Sequence, residues 1–124
     1  MQKIKQSVNK IVSDIKKQSG VVAIILFGSY LGNRLKPLSD IDISVILKSP
    51  NKTKEAEMGS LYSDLFDISL FHRLPLYIQF EVLKYGKVLY LGDAKYFHEI
   101  KRNVLKEYLE MSYLYEKIER RVLA

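Results

Sequence analysis

Residues 27–45 read FGSYLGNRLKPLSDIDISV. Leading into them, VVAIILF at 21–27 is a continuous, β-branched run of seven apolar residues, the pattern of a strand covered on both faces. Gly28 follows the strand directly. Without a Cβ it lets the backbone turn sharply and come close to a ligand. Ser29 adds a hydroxyl, and the backbone N–H groups of such a turn form a cradle for an anion. A polar, turn-rich connector runs from Tyr30 to Ser39, with room for one helical turn. Asp40 to Leu47 then alternates as a second strand. Ile41, Ile43, Val45 and Leu47 share one face, and Asp40, Asp42 and Ser44 the other.

Upstream, Ile4 to Gln18 reads as a helix, because Ile4, Val8, Ile11, Val12 and Ile15 recur at helical spacing; Gly20 stops it. Downstream, Ser49-Pro50-Asn51 breaks the second strand. Lys52 to Leu65 is expected to be helical, with Ala56, Leu61 and Leu65 inward and Gly59 as its weak point. Phe66 to Phe71 reads as a third strand with Asp67 and Ser69 on one face. Leu76 to Tyr85 is a short helix entered through Pro75 and stopped by Gly86, and Val88 to Leu91 is a brief fourth strand. From Ala94 onward one amphipathic helix fits. Its seam is tracked by Phe97, Ile100 or Lys101, Val104, Tyr108, Met111, Tyr115, Ile118 and Val122. This alternation predicts an α/β (α+β) domain: a small mixed sheet of about four strands flanked by helices, with a long C-terminal helix.

The 124-residue length fits one domain, comprising an N-terminal helix at 1–19, a core at 20–92 and a C-terminal helix at 93–124. With 48% hydrophobic and 27% charged residues the composition is that of a soluble globular chain. No apolar run approaches the ~20 residues of a membrane span. The opening MQKIKQSVNK lacks the apolar segment and cleavage site of a signal peptide. The absence of cysteine excludes disulfides, thiolate metal sites and a cysteine nucleophile, and it fits a cytoplasmic location. Twenty Lys+Arg against 14 Asp+Glu leave a net charge of +6, which favours anionic partners such as a nucleotide. The bases are interspersed with acids, which argues against a dedicated nucleic-acid stripe.

Asp40 and Asp42, two apart on a strand, present carboxylates on one face. At close range they repel, and on burial one of them tends to hold a proton. A hard divalent cation removes that conflict, since Mg²⁺ prefers oxygen ligands and sits between carboxylates and substrate phosphates. Asp67 supplies a third carboxylate if its strand pairs alongside. It is preferred to Asp64 because Leu65-Phe66 precedes it and Ile68, Leu70 and Phe71 follow. Three acids can hold two metal ions. Arg34 and Lys36 are candidates for neutralising phosphate charge. His72 and His98 are isolated and lack metal-ligand spacing, so they read as ordinary surface or packed residues.

The run GSYLGNRLKPLSDIDIS resembles the signature of the DNA polymerase β-type nucleotidyltransferase superfamily. Within it, the chain resembles the minimal nucleotidyltransferases (MNT) that pair with HEPN-domain partners. Gly28, Ser29, Asp40 and Asp42 match the motif, Phe66-Asp67-Ile68 matches the later acidic strand, and KYGKVLYLGD is similar to a segment near the end of MNT domains. One departure is Asn33 where many relatives have a second glycine, with Gly32 one place early. Asn tolerates left-handed geometry, so an altered turn is expected here and not a dead site.

The resemblance implies a nucleotidyltransferase using two Mg²⁺ ions and ATP. Asp40, Asp42 and Asp67 are then the catalytic and metal-ligating residues, and Gly28, Ser29, Ser39 and Arg34 bind the nucleotide. It further implies AMP transfer to a tyrosine hydroxyl of a HEPN toxin, which makes this chain the antitoxin of a hetero-oligomer. Two alternatives stand beside it: an antitoxin that neutralises by binding alone, and a small-molecule transferase of the aminoglycoside type. The second usually needs an extra helical substrate domain, for which 124 residues leave no room. The last helix would be about 45 Å long. Leu105, Leu109 and Tyr113 fall off its main seam, so a partner surface or a homodimer contact is expected there.

Overall fold

The β-branched run Val21–Phe27 forms β1, an inner strand with a partner on each side and a helical layer on each face. The computed structural model describes residues 2–28, 41–59 and 66–123. Helix α1 (Gln2–Lys16) precedes β1. After it come β2 (Ile41–Leu47), α2 (Lys52–Gly59), β3 (Phe66–Leu70), a 3-10 turn (Phe71–Arg73), α3 (Leu76–Tyr85), β4 (Lys87–Leu91) and α4 (Ala94–Leu123). Among the described residues the strand order is β3-β2-β1-β4. β1 runs antiparallel to β2 and β4, and β2 runs parallel to β3.

Strand alternation divides the apolar residues between two cores. On one face Val8, Ile11 and Ile15 of α1 and Met58 of α2 cover Ile24, Leu26, Ile41, Ile43, Val45 and Leu47. On the other, Val82 of α3 and Phe97 and Val104 of α4 cover Val22, Ala23, Ile25 and Ile46. Each fully buried aliphatic side chain contributes roughly 1.5–3 kcal/mol relative to exposure. The sheet is therefore dry on both sides except where polar residues interrupt it.

Two helices begin on side-chain caps. The Asn51 side-chain oxygen accepts from the Lys54 N–H at 2.9 Å, and Asp93 Oδ1 accepts from the Tyr96 N–H at 3.1 Å. That backbone bond, with Lys48 Nζ 3.4 Å away, holds the Asp93 carboxyl below its ordinary range. Between α2 and the turn after β3, Arg73 donates to both Glu55 oxygens at 2.8 and 3.1 Å. His72 Nε2 lies 2.6 Å from the first of these. Arg73 above all, and then His72, lowers the Glu55 carboxyl to about 2.

Three sequence expectations are corrected. Ala56 is exposed, and Met58 is the buried residue of α2. The described part of the helix runs Lys52–Gly59, and within it the one large apolar side chain does the covering; Leu61 and Leu65 lie outside the described residues. Phe71 leaves the strand for the 3-10 turn, where its ring is buried in the second core. The α4 seam is covered only in its first half. Ile100, not Lys101, faces the core, and Tyr108 stacks on Phe80 with ring centroids 3.8 Å apart. Beyond it Met111, Tyr115, Ile118 and Val122 are exposed, although Met111 and Tyr115 still line a cavity with Leu76 and Tyr77 of α3.

Candidate active site

Three neighbouring strand ends bring the small and acidic residues together. Phe27, the last residue of β1, pairs with Asp42 on β2, and Asp42 pairs in turn with Asp67 on β3. Partners in a parallel ladder point to the same side, with adjacent strands about 4.8 Å apart. The two carboxylates thus leave neighbouring backbone positions on one face. It is the face opposite Ile41, Ile43 and Phe66, whose side chains are buried against α1 and α2. Asp42 is half-buried and Asp67 is exposed.

Gly28 stands beside them with φ at +86°, in the left-handed region that favours glycine. A Cβ placed on it would overlap Asp42 Oδ2 and lie 3.1 Å from Asp42 Cγ. Glycine is required here twice over, by the backbone angle and by the carboxylate packed against it.

Below the acid pair, one step further along each strand, Ser44 pairs with Ser69. Ser69 Oγ donates to the Ile43 carbonyl at 3.4 Å. Ser44 Oγ is fully buried and has no hydrogen-bond partner among the described residues. Ile46 and Phe71 continue that face into the apolar core. The two carboxylates lie at the starts of β2 and β3, beside the end of β1, with the serine pair between them and the apolar core.

Asp42 and Asp67 offer carboxylate oxygens, the donors a hard divalent cation selects. Among the described residues no lysine, arginine or histidine forms an ion pair with Asp67. An exposed carboxylate beside a second one offers the oxygen donors that suit a bound Mg²⁺. No group of three potential metal ligands occurs among the described residues. Asp40, Ser29, Ser39 and Arg34, together with Lys36, Asn33 and Asp64, lie outside them. Of the residues expected to act, the structure brings Gly28, Asp42 and Asp67 together.

His72 has no metal-site neighbours and serves the Glu55 ion pair instead. Two features were missed in the sequence: that ion-pair cluster, and a cationic groove between α3 and α4 described below. Both depend on which elements pack together, which one-dimensional spacing does not reveal.

A mixed sheet with an acid pair on adjacent strands, beside a glycine turn at the end of a third, is the architecture of a nucleotidyltransferase. The sequence profile of the polymerase beta nucleotidyltransferase family matches residues 9–95, and the chain belongs to that family. A protein of Methanocaldococcus jannaschii with the provisional name protein adenylyltransferase is 41% identical over 75 residues, 60% of this chain and 59% of the relative. The chain thus aligns with under two-thirds of that relative's length. Solved structures share the fold. A chain from a toxin–antitoxin crystal structure with AMP-PNP superposes with a TM-score of 0.68 at 23% identity, covering 94% of this chain and 98% of its own. One from the tri-AMPylated Shewanella oneidensis HEPN toxin in complex with its MNT antitoxin gives 0.62 at 21% identity, with 100% of both chains covered.

Proposed function

We propose that this chain is a protein adenylyltransferase that transfers AMP from ATP to a tyrosine hydroxyl of a HEPN toxin, and so acts as the toxin's antitoxin. The observation that carries the reading is the side-by-side register of Asp42 and Asp67, with Asp42 packed against Gly28. The M. jannaschii relative and the toxin–antitoxin structures support the choice of protein acceptor and nucleotide.

In this reading the whole chain is one nucleotidyltransferase unit acting in the cytoplasm. No helix among the described residues is long and apolar enough to cross a membrane. Asp40, Asp42 and Asp67 are the residues that would hold Mg²⁺, whose chemistry is to neutralise the triphosphate and ease deprotonation of the acceptor. Gly28 opens the turn so that its backbone N–H groups and the Ser29 hydroxyl reach the β- and γ-phosphates. Ser39 and Arg34, in the connector between β1 and β2, would add a hydroxyl and a positive charge for the phosphates. Asp42, fixed against Gly28, orients the α-phosphate edge of the site. Asp67, the more exposed carboxylate, faces the incoming hydroxyl. The tyrosine oxygen bonds to the α-phosphorus, the bond from that phosphorus to the pyrophosphate oxygen breaks, and the phenol proton is lost. Catalysis of this kind rests on positioning and charge neutralisation.

The test is incubation of the purified chain with ATP radiolabelled at the α-phosphate, Mg²⁺ and a purified HEPN protein as the proposed acceptor. Label on that protein, lost in Asp42→Asn, is the expected result. No label from the wild-type chain overturns the reading.

A further inference from the structure

The sheet face that carries the acid pair is covered by α3 and α4, and between these helices lies a groove of about 630 Å³. Its walls are Phe80, Leu83, Val104 and Leu105, and its rim carries Lys84, Lys101 and Arg102, with His98 beside them. None of the groove residues is acidic. Among the described residues neither lysine nor Arg102 forms an ion pair, whereas Lys48 and Arg73 are each matched by a carboxylate. Lys84 Nζ instead sits 5.8 Å from the Phe80 ring centre, and Lys101 Nζ 5.3 Å from that of Phe97. Three unmatched cations over an apolar floor call for an occupant that is itself apolar and anionic.

The groove does not end at Leu105. Leu109 and Tyr113 continue the same side of α4 at four-residue spacing, with exposures of 48% at Leu105, 57% at Leu109 and 65% at Tyr113. This stripe adds about 12 Å of helix length. An elongated occupant covers it, whereas a small anion does not. The floor is mostly aliphatic, which suits leucine-type side chains better than stacked bases, whose usual platform is aromatic.

We propose that the α3–α4 groove and the Leu105–Leu109–Tyr113 stripe dock an acidic amphipathic helix of the acceptor protein. The helix would lay apolar residues on Leu83, Val104 and Leu105, and carboxylates on Lys84, Lys101 and Arg102. The docking partner rests on the proposed function, since an acceptor hydroxyl on another protein needs a surface that holds that protein in place. The groove chemistry itself does not depend on that reading.

Two binding measurements test it, both without ATP. The first probe is a fluorescent synthetic helix of about five turns with leucines on one face and glutamates flanking them; a lysine-for-glutamate version and a single-stranded oligonucleotide serve as comparisons. The wild-type chain is expected to prefer the acidic helix. The triple variant Lys84→Glu, Lys101→Glu, Arg102→Glu and, separately, Leu105→Asp should each weaken it about tenfold or more with unchanged melting temperature. Equal binding of the acidic and basic helices, tighter binding of the oligonucleotide, or binding unaffected by either variant overturns the proposal. The second probe is a purified HEPN protein, the proposed acceptor, tested against the triple variant and Asp42→Asn. Binding lost in the triple variant but kept in Asp42→Asn places the partner on the groove. Binding kept in the triple variant overturns the groove and leaves the AMP-transfer reading untouched, whereas wild-type binding together with no label in the separate ATP assay removes the enzymatic reading and leaves the groove.

Discussion

Asp42 packs against the bare Cα of Gly28: a Cβ there would overlap Asp42 Oδ2 and come within 3.1 Å of Cγ, in a backbone held at φ +86°. The glycine is therefore tied to the carboxylate as well as to the turn. A side chain at this position both strains the backbone and displaces a residue of the acid pair.

Gly28→Ala should lower AMP transfer by about a hundredfold or more, because a misplaced catalytic group commonly costs that much. The left-handed backbone adds a stability loss of about 1–2 kcal/mol. Steady-state transfer assays alongside urea unfolding check both. Full activity in the variant would show that Asp42 does not need this close packing.

Asp67→Asn should separate chemistry from stability. The side chain is exposed and forms no ion pair with the described residues, so the melting temperature should hold. With Asp67 holding Mg²⁺ as proposed, loss of one oxygen donor to an ion that supplies several kcal/mol of charge stabilisation should reduce transfer by about a hundredfold. Titrating Mg²⁺ should then show a raised requirement. An unchanged Mg²⁺ dependence would remove Asp67 from the site.

Glu55 makes the α2 contact acid-sensitive. Its carboxyl is lowered from 4.5 to about 2 by Arg73 and then His72. A depressed folded-state pKa gives stability that is fully present above the unfolded value and is lost as pH falls toward the folded one. The wild-type melting temperature should therefore fall between pH 4.5 and about 2 more steeply than that of Glu55→Gln, which starts lower at pH 7. Parallel acid profiles for the two proteins would show that the ion pair does not contribute.

Ile43 is fully buried between Asp42 and Ser44, with its side chain on the α1 face. Ile43→Ala should cost about 2–5 kcal/mol and Ile43→Val about 0.5–1.5 kcal/mol. Denaturant midpoints give the comparison. A near-neutral Ile43→Ala would mean that β2 is not anchored through this core.

Much of the sheet was legible because local chemistry and tertiary demand coincide there. The inner five of the seven apolar residues of β1 are buried, divided between both faces, and Asp42 and Ser44 fall opposite Ile41, Ile43 and Val45 as alternation requires. Pro75 and Gly86 bracket α3 at the expected residues. That Asp67 lies beside Asp42 was an expectation conditional on β3 pairing alongside β2, and that pairing is present, in parallel. What failed depended on partners in space. Alanine at position 56 carries too little apolar surface to decide which side of α2 turns inward, so Met58 decides it. A periodic seam shows that α4 has an apolar face, but not what covers that face. Phe97 and Val104 are covered within the chain, whereas Ile118 and Val122 remain exposed.

The most direct test is mass analysis of a purified HEPN protein, the proposed acceptor, after incubation with this chain, ATP and Mg²⁺. The account predicts a mass increase of one or more AMP groups mapped to tyrosine, abolished by Asp40→Asn with Asp42→Asn. An unmodified HEPN protein in the wild-type reaction, or the same modification with the double variant, would contradict it.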